Sequence, residues 1–286
     1  MAIQNVGVVG GGLMGSGIAQ TAAQAGYDVV LAEVSQELLD RGMARVHGAW
    51  DMLTKKGKIT EEQAGEYRGR IRGTLDLKDF ADRDLVIEAI IENMDEKKKL
   101  FSTLDGIVPE GAIIASNTSS LPIIEMASVT KRQENIAGLH FFNPAPVMKL
   151  VEIVRTIATS DETTDALRQF AQSLGKTPII AKDTAGFVVN FLLIPYMLSA
   201  VRMYENGLAT MEDIDTGMKL GCGYPMGPFE LLDYVGLDTT LYAAEAIYRE
   251  YPDPAYAPPT LLRRMVQAGR YGMKTGRGFR EYAEKR

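Results

Sequence analysis

Only two histidines occur among the 286 residues, and one of them, His140, stands where an imidazole could do acid–base work. It closes the apolar run Ile136–His140. The turn Phe141-Phe142-Asn143-Pro144-Ala145-Pro146 then returns the chain into a second run, Lys149–Val154, that carries Glu152. If the two runs are neighbouring strands, Glu152 accepts a hydrogen bond from one ring nitrogen while the other faces a substrate. Imidazole, with an unperturbed pKa of about 6.5, exchanges protons near neutrality, and a carboxylate partner fixes its tautomer and stabilises the imidazolium. Such a pair suits removal of a hydroxyl proton as hydride leaves the adjacent carbon. On these residues alone, a buried histidine with a structural glutamate remains an open alternative. The other histidine, His47, lies in a helix-like segment beside Arg45 and Trp50 and reads as a solvated surface residue.

A departing hydride needs an acceptor, and the amino-terminal segment carries the pattern that binds one. The apolar run Val6–Val9 enters Gly10-Gly11-Gly12-Leu13-Met14-Gly15, a G-x-G-x-x-G loop, and Ser16–Ala25 then forms a helix. Gly10 permits the tight turn, Gly12 lets the backbone approach a pyrophosphate, and Gly15 lets the helix pack closely on the strand. Unpaired N–H groups at the helix start face the anion, with Leu13 and Met14 in the same loop. Further along, Glu33 ends the next strand, where a carboxylate accepts hydrogen bonds from a ribose 2′-hydroxyl and repels a 2′-phosphate. With no arginine between Glu33 and Arg41, the pattern favours NAD over NADP.

Two further polar groups interrupt apolar surroundings. Ser116-Asn117-Thr118-Ser119-Ser120 follows the run Ala112–Ala115, so it falls at a strand's carboxyl end, where open α/β sheets bind ligands; a simple capping turn is the alternative. Asn190 breaks the run Phe187–Leu193, and a buried amide there must find hydrogen-bond partners, whether in a ligand or in the core.

The elements that position these groups follow from periodicity. Strand-like runs at Val6–Val9, Asp28–Leu31, Leu85–Ile90, Ala112–Ala115, Ile136–Phe141, Leu150–Val154 and Pro178–Ala181 alternate with helix-like segments. Continuous apolar strands separated by helices predict a mainly parallel sheet covered on both faces, a doubly wound, Rossmann-type α/β domain. Thr60–Gln63 and Asn93–Glu96 read as capping boxes that start two of the helices. After Lys182-Asp183-Thr184-Ala185-Gly186 the strands stop and long apolar-periodic helices take over. The expected division is therefore residues 1–184, binding the dinucleotide, and 185–286, an all-α domain for substrate and dimerisation. Within it, Phe187–Tyr204 is apolar nearly all round and is expected to be a buried spine, with a second subunit as a further packing partner.

Composition removes other classes. With 46% hydrophobic and 24% charged residues, the chain is that of a folded soluble protein, long enough for a sizeable core. A net charge of −6 speaks against a general nucleic-acid or anionic-membrane binder, so an anionic ligand needs a local basic strip. Lys55-Lys56-Gly57-Lys58 is the obvious one, although lysines in a last helical turn also suit the dipole and water. A single cysteine, Cys222, excludes a disulfide framework and multi-cysteine metal centres; no metal site is expected, and a reducing cytoplasm fits. The stretch Gly186–Val201 is long enough for a membrane, but Asn190, Pro195 and Ser199 interrupt it, so a core helix is expected there. The first residues lack the basic and long apolar regions of a secretory leader.

Five ordered segments carry a resemblance over essentially the whole chain: residues 10–19 (GGGLMGSGIA), 115–120 (ASNTSS), 138–144 (GLHFFNP), 182–190 (KDTAGFVVN) and 223–233 (GYPMGPFELLD). The sequence resembles the short-chain L-3-hydroxyacyl-CoA dehydrogenases, including bacterial 3-hydroxybutyryl-CoA dehydrogenases. That resemblance implies His140 as catalytic base with Glu152 as its partner, and Ser119 and Asn190 at the reacting hydroxyl or thioester, with Asn143 in the same pocket. It implies NAD held by Glu33 at the adenosine ribose and by Glu92 and Lys97 near the nicotinamide half; by residue type alone these last two are only helix-entry charges. It further implies an acyl-CoA thioester lying between the two domains, Lys56 towards its nucleotide end, and a homodimer. Two positions depart from the family. Phe191 stands where arginine is frequent, which puts a local salt bridge in doubt, and Arg280 stands where an aromatic is common, with little effect expected on the chemistry. A dehydrogenase of free β-hydroxyacids would use a lysine base in a glycine-rich motif, and a non-catalytic dinucleotide-binding protein would not need the His–Glu pair. Whether free 3-hydroxybutyrate, its CoA thioester or neither reduces NAD separates the three.

Overall fold

In the computed structural model, which describes residues 3–282, the apolar runs assemble into one eight-stranded sheet. In chain order the strands are β1 (Asn5–Val9), β2 (Asp28–Ala32), β3 (Ile71–Thr74), β4 (Leu85–Glu88), β5 (Ile113–Ser116), β6 (Ile136–Phe141), β7 (Leu150–Arg155) and β8 (Thr177–Lys182). The spatial order is β3-β2-β1-β4-β5-β6-β7-β8. Strands β1 to β6 run parallel, β7 lies antiparallel to β6, and β8 is parallel to β7. The order reverses between β1 and β4, and the crevice at such a switch point is where doubly wound sheets bind ligands.

Strand β3 was not among the expected runs. Its sequence, Ile-Arg-Gly-Thr, buries only its first and last residues, because it is the sheet's edge and needs no continuous apolar face. The helices that cover the sheet are α1 (Leu13–Gln24), α2 (Gln36–Lys55), α3 (Glu61–Gly69), α4 (Met94–Asp105), α5 (Ile123–Ala127) and α6 (Asp161–Ser173). Thr60 forms a complete capping box with Gln63, while Asn93 caps α4 through the Glu96 N–H. Val6, Val8, Leu31, Ile87 and Leu139 from the strands pack with Trp50 and Phe170 from the helices in a continuous core. Each such side chain contributes about 1.5–3 kcal/mol on burial, which fixes the strand ends that carry the site.

The chain divides into two compact units, Met1–Asp183 and Thr184–Arg286. Asp183 closes the first by accepting from the Ile123 and Ile124 N–H groups at the start of α5. The second contains α7 (Val189–Glu205), α8 (Met211–Cys222), α9 (Pro228–Val235), α10 (Leu237–Glu250) and α11 (Thr260–Gln267), and among the described residues only isolated bridges near the end. Helix α7 is not buried all round. Ile194, Met197, Leu198 and Val201 enter the core, but Leu192 is 69% exposed, because α9, α10 and α11 cover one side of the helix only. Phe191 packs its ring against Tyr251 and Tyr256, and Arg280 donates to the buried Asp215 carboxylate at 2.7 Å. Arg280 therefore bears on packing: it is the cation beside an acid whose pKa burial pushes up. No helix among the described residues is long and apolar enough to cross a membrane.

Candidate active site

Antiparallel pairing of β6 with β7 sets His140 directly opposite Glu152, and the side chains meet, Nδ1 lying 2.7 Å from Oε2. Both are buried, Glu152 completely. A desolvated carboxylate is costly unless a partner answers it, so the imidazole and the acid hold each other in place. The Phe142 ring covers the imidazole at a centroid distance of 4.6 Å. Just after β5, the Asn117 side chain accepts from the Phe141 N–H at 2.9 Å and fixes the strand end immediately after His140.

The glycine-rich loop lies at the switch point. Gly10 has φ +101°, and a Cβ there would stand 2.5 Å from the Ala89 carbonyl oxygen just beyond β4; a Cβ on Gly15 would stand 1.8 Å from the Gly10 oxygen. These two glycines are required by the fold. Gly12 is different, since a Cβ would meet nothing within 4 Å. Its glycine leaves open the space in front of the first turn of α1, which has no side-chain cap and no acidic residue. Glu33 accepts from the Gly11 N–H at 2.6 Å and the Val34 N–H at 3.0 Å, so its carboxylate is held at the rim of that space. An uncapped helix start, an open cradle and a fixed acid fit a dinucleotide with an unphosphorylated ribose. Arg41 pairs with Glu37, whereas Arg45, one turn further along α2, donates to the Gly11 carbonyl at 2.9 Å. Sequence spacing gave Arg45 no place at the loop.

Glu92 and Lys97 prove to be parts of a buried network rather than helix-entry charges. Lys97 is 1% exposed, and its ammonium lies 2.6 Å from Glu88 and 3.1 Å from Glu92. Glu88, at the end of β4, also accepts from the Ile90 N–H at 2.7 Å and the Ser116 hydroxyl at 2.6 Å. Glu92 in turn accepts from the Thr118 hydroxyl, from the Ser119 N–H at 3.3 Å and from the Ser120 hydroxyl at 3.4 Å. Lys97 is thus linked to the Ser119 loop through Glu92, and that loop hangs from two carboxylates. Ser116 and Thr118 belong to the polar segment that the sequence offered as ligand-binding or capping, and here they bond to carboxylates; Glu88 had no assigned role, and the signal that could have found it is an acid ending an otherwise apolar buried strand.

The remaining positions are more scattered. Asn143 is exposed on the turn after β6, and Lys56 is exposed where α2 ends. Asn190 lies in the first turn of α7, in the second unit, and is half-buried, not the enclosed amide that its apolar neighbours suggested. His47 is not a solvated surface group: its ring stacks on Trp50 at 5.8 Å, and burial, followed by the Arg68 charge, lowers its pKa. Exposed apolar side chains also stand just beyond the carboxyl ends of three strands in one half of the sheet, Val34 after β2, Leu75 after β3 and, across β1, Ile91 after β4. Such a row can receive a flat apolar face, and single exposed aliphatics give no signal in sequence.

Residues 5–184 match the family described as 3-hydroxyacyl-CoA dehydrogenase, NAD binding domain, and residues 186–282 match 3-hydroxyacyl-CoA dehydrogenase, C-terminal domain. The chain is 47% identical to the 3-hydroxybutyryl-CoA dehydrogenase of Mycobacterium tuberculosis, over 98% of this chain and 99% of that one. It is 46% identical to the mitochondrial hydroxyacyl-coenzyme A dehydrogenase of Homo sapiens, over 98% and 91% of the two chains. Among solved structures, the (S)-3-hydroxybutyryl-CoA dehydrogenase of Ralstonia eutropha superposes with a TM-score of 0.95 at 47% identity, covering 99% of this chain and 100% of that one.

Proposed function

Because this chain belongs to the 3-hydroxyacyl-CoA dehydrogenase family, we propose that it interconverts (S)-3-hydroxybutyryl-CoA and acetoacetyl-CoA with NAD, using His140 and Glu152 as the acid–base pair. The observation that carries the reading is the 2.7 Å contact between these side chains, on the sheet whose switch point bears the glycine-rich loop. When bound, NAD supplies the hydride acceptor. Because Nδ1 is engaged by Glu152, proton exchange falls to Nε2, which takes the proton of the C3 hydroxyl while the C3–oxygen double bond forms. The buried Glu152 carboxylate stabilises the imidazolium, and in reverse the imidazolium returns its proton to the C3 oxygen. Gly10, Gly12, Leu13, Met14 and Gly15 form the cradle for the cofactor, Glu33 takes its ribose hydroxyls, and Glu92 is held by Lys97 towards the nicotinamide half. The family resemblance assigns Ser119, Asn143 and Asn190 to the reacting end of the thioester and Lys56 to its phosphates.

The exposed apolar side of α7 supports a homodimer, and a concentration-dependent mass measurement that gives only monomer would remove that part of the reading. The single cysteine supports a cytoplasmic location, which cell fractionation tests. The experiment for the activity is oxidation of NADH by purified protein with acetoacetyl-CoA, with NADPH and free acetoacetate in parallel. Turnover with NADH and the thioester alone is expected. Turnover with free acetoacetate instead would replace the substrate class, and NADH binding without turnover would favour a non-catalytic dinucleotide binder.

A further inference from the structure

Lys176 stands immediately before β8, is 7% exposed, and takes no part in the chemistry above. Its ammonium donates to two carbonyl oxygens of a single turn, Ala145 at 2.6 Å and Met148 at 2.8 Å. Among the described residues no carboxylate forms an ion pair with it, and burial alone lowers its pKa. A buried cation answered only by carbonyls is a poor stabiliser of a fold, because desolvation opposes it and no opposite charge compensates. What the arrangement does provide is shape.

The turn it holds runs from β6 to β7, the two strands of the acid–base pair. The Val147 and Met148 N–H groups both bond to the Pro144 carbonyl, and the Thr177 N–H bonds to Lys149, so the segment is a compact turn seated on β8. On its other side it meets α1. A Cβ on Gly17 would lie 3.1 Å from Pro146 and 3.3 Å from Ala145, so the absent side chain is what lets the turn approach that helix. Gly17 lies two residues after Gly15, the last glycine of the loop, and Phe142, at the turn's entrance, covers His140. The turn is therefore wedged between the cofactor-side helix and the imidazole, with its Val147 and Met148 side chains in solvent and a single ammonium gripping it from within.

We propose that Lys176 is a positioning residue, whose ammonium pins the 143–149 turn against Gly17 of α1 and so fixes His140 and Phe142 relative to the glycine-rich loop. Its effect on turnover rests on the dehydrogenase reading; its effect on the turn does not. The test compares Lys176→Met, Lys176→Gln and Lys176→Arg with the unaltered chain. Amide hydrogen exchange over residues 143–149 reads the turn, NADH binding reads the cradle, and steady-state kinetics with acetoacetyl-CoA read the consequence. In Lys176→Met, faster exchange confined to 143–149 is expected, with kcat lower by about tenfold to a hundredfold, the range a displacement near 1 Å produces, and NADH affinity nearly unchanged. Lys176→Arg, which keeps a cation and several donors, recovers much of both losses, and Lys176→Gln falls between. Unchanged exchange in the turn, or exchange raised throughout the first unit, overturns the proposal, as does a kcat within about twofold of the original in a protein whose turn has loosened. If Lys176→Met does not fold, the Gln and Arg variants decide on the same readouts. Should the unaltered protein itself show no turnover, the dehydrogenase reading fails, and the exchange pattern still judges the pin.

Discussion

At the amino ends of the strands, Arg83 reaches Asp28 at 2.5 Å and Asp82 at 2.8 Å, carboxylates that stay mostly in water, and Asp84 accepts from the Gln4 and Asn5 N–H groups. At the carboxyl ends, Glu88 pairs with Lys97 and His140 with Glu152, all with almost no exposed surface. The same sheet thus carries two kinds of ion pair. At the amino end the Arg83 guanidinium is buried but both its carboxylates remain solvated, so water can compensate them when the pair is broken and less is lost than in a fully enclosed pair. Enclosed pairs cannot be halved without stranding a charge, so the carboxyl end keeps fixed geometry at an energetic cost. A dry end of this kind suits proton transfer, because a group held there needs no rearrangement when a proton moves.

The hardest blow to this contrast is at His140. His140→Gln keeps the ring's volume roughly and its hydrogen bonding in part, yet turnover is expected to fall by about 10²–10⁴-fold while NADH affinity stays nearly constant. Near-normal kcat would place the chemistry elsewhere. Next comes a paired denaturation experiment. Lys97→Met strands the enclosed Glu88 and should cost about 3–5 kcal/mol in urea unfolding, whereas Arg83→Met, with solvated partners, should cost distinctly less. Equal losses would erase the distinction between the two ends.

A finer cut lies within the glycine loop. Gly12→Ala meets no protein atom, so the melting temperature should hold while NADH affinity drops roughly tenfold or more; Gly10→Ala must instead disturb the fold itself. A Gly12→Ala protein that binds NADH normally would show that no ligand uses that space. The smallest effect is expected at Lys56, an exposed cation. Lys56→Gln should raise KM for acetoacetyl-CoA by up to about fivefold, the worth of a solvent-screened contact, and leave NADH binding alone. An unchanged KM would return that lysine to a helix-end role.

Much of this arrangement is legible in the sequence. Strand runs, the glycine-rich turn and its acid depend on neighbours in sequence, and the helix caps at Thr60 and Asn93 are local hydrogen bonds. Legibility failed where a residue's role depends on a distant partner. Ile71–Thr74 forms a strand because β2 offers it an edge, and Lys97 is buried because Glu88 and Glu92, on other elements, stand ready to pair with it. His47, in a helix-like segment beside Arg45 and Trp50, read as solvated, but its ring stacks on Trp50. Likewise α7 is apolar nearly all round, yet which side finds partners was set by α9, α10 and α11.

By itself, the sequence determined the doubly wound class, the glycine-rich turn at Gly10–Gly15, the acid Glu33 that follows the next strand, and the presence of one histidine and one glutamate on consecutive apolar runs. Periodicity and short turns act over a few residues, so they can be read directly. Tertiary structure alone decided that His140 and Glu152 share a register, that Glu88 and Lys97 form a closed network, and that Lys176 grips the turn from 28 to 31 residues away. Those are relations between segments brought together by packing. Their energies come from desolvation and the exclusion of water, conditions that exist only once the core has closed around them.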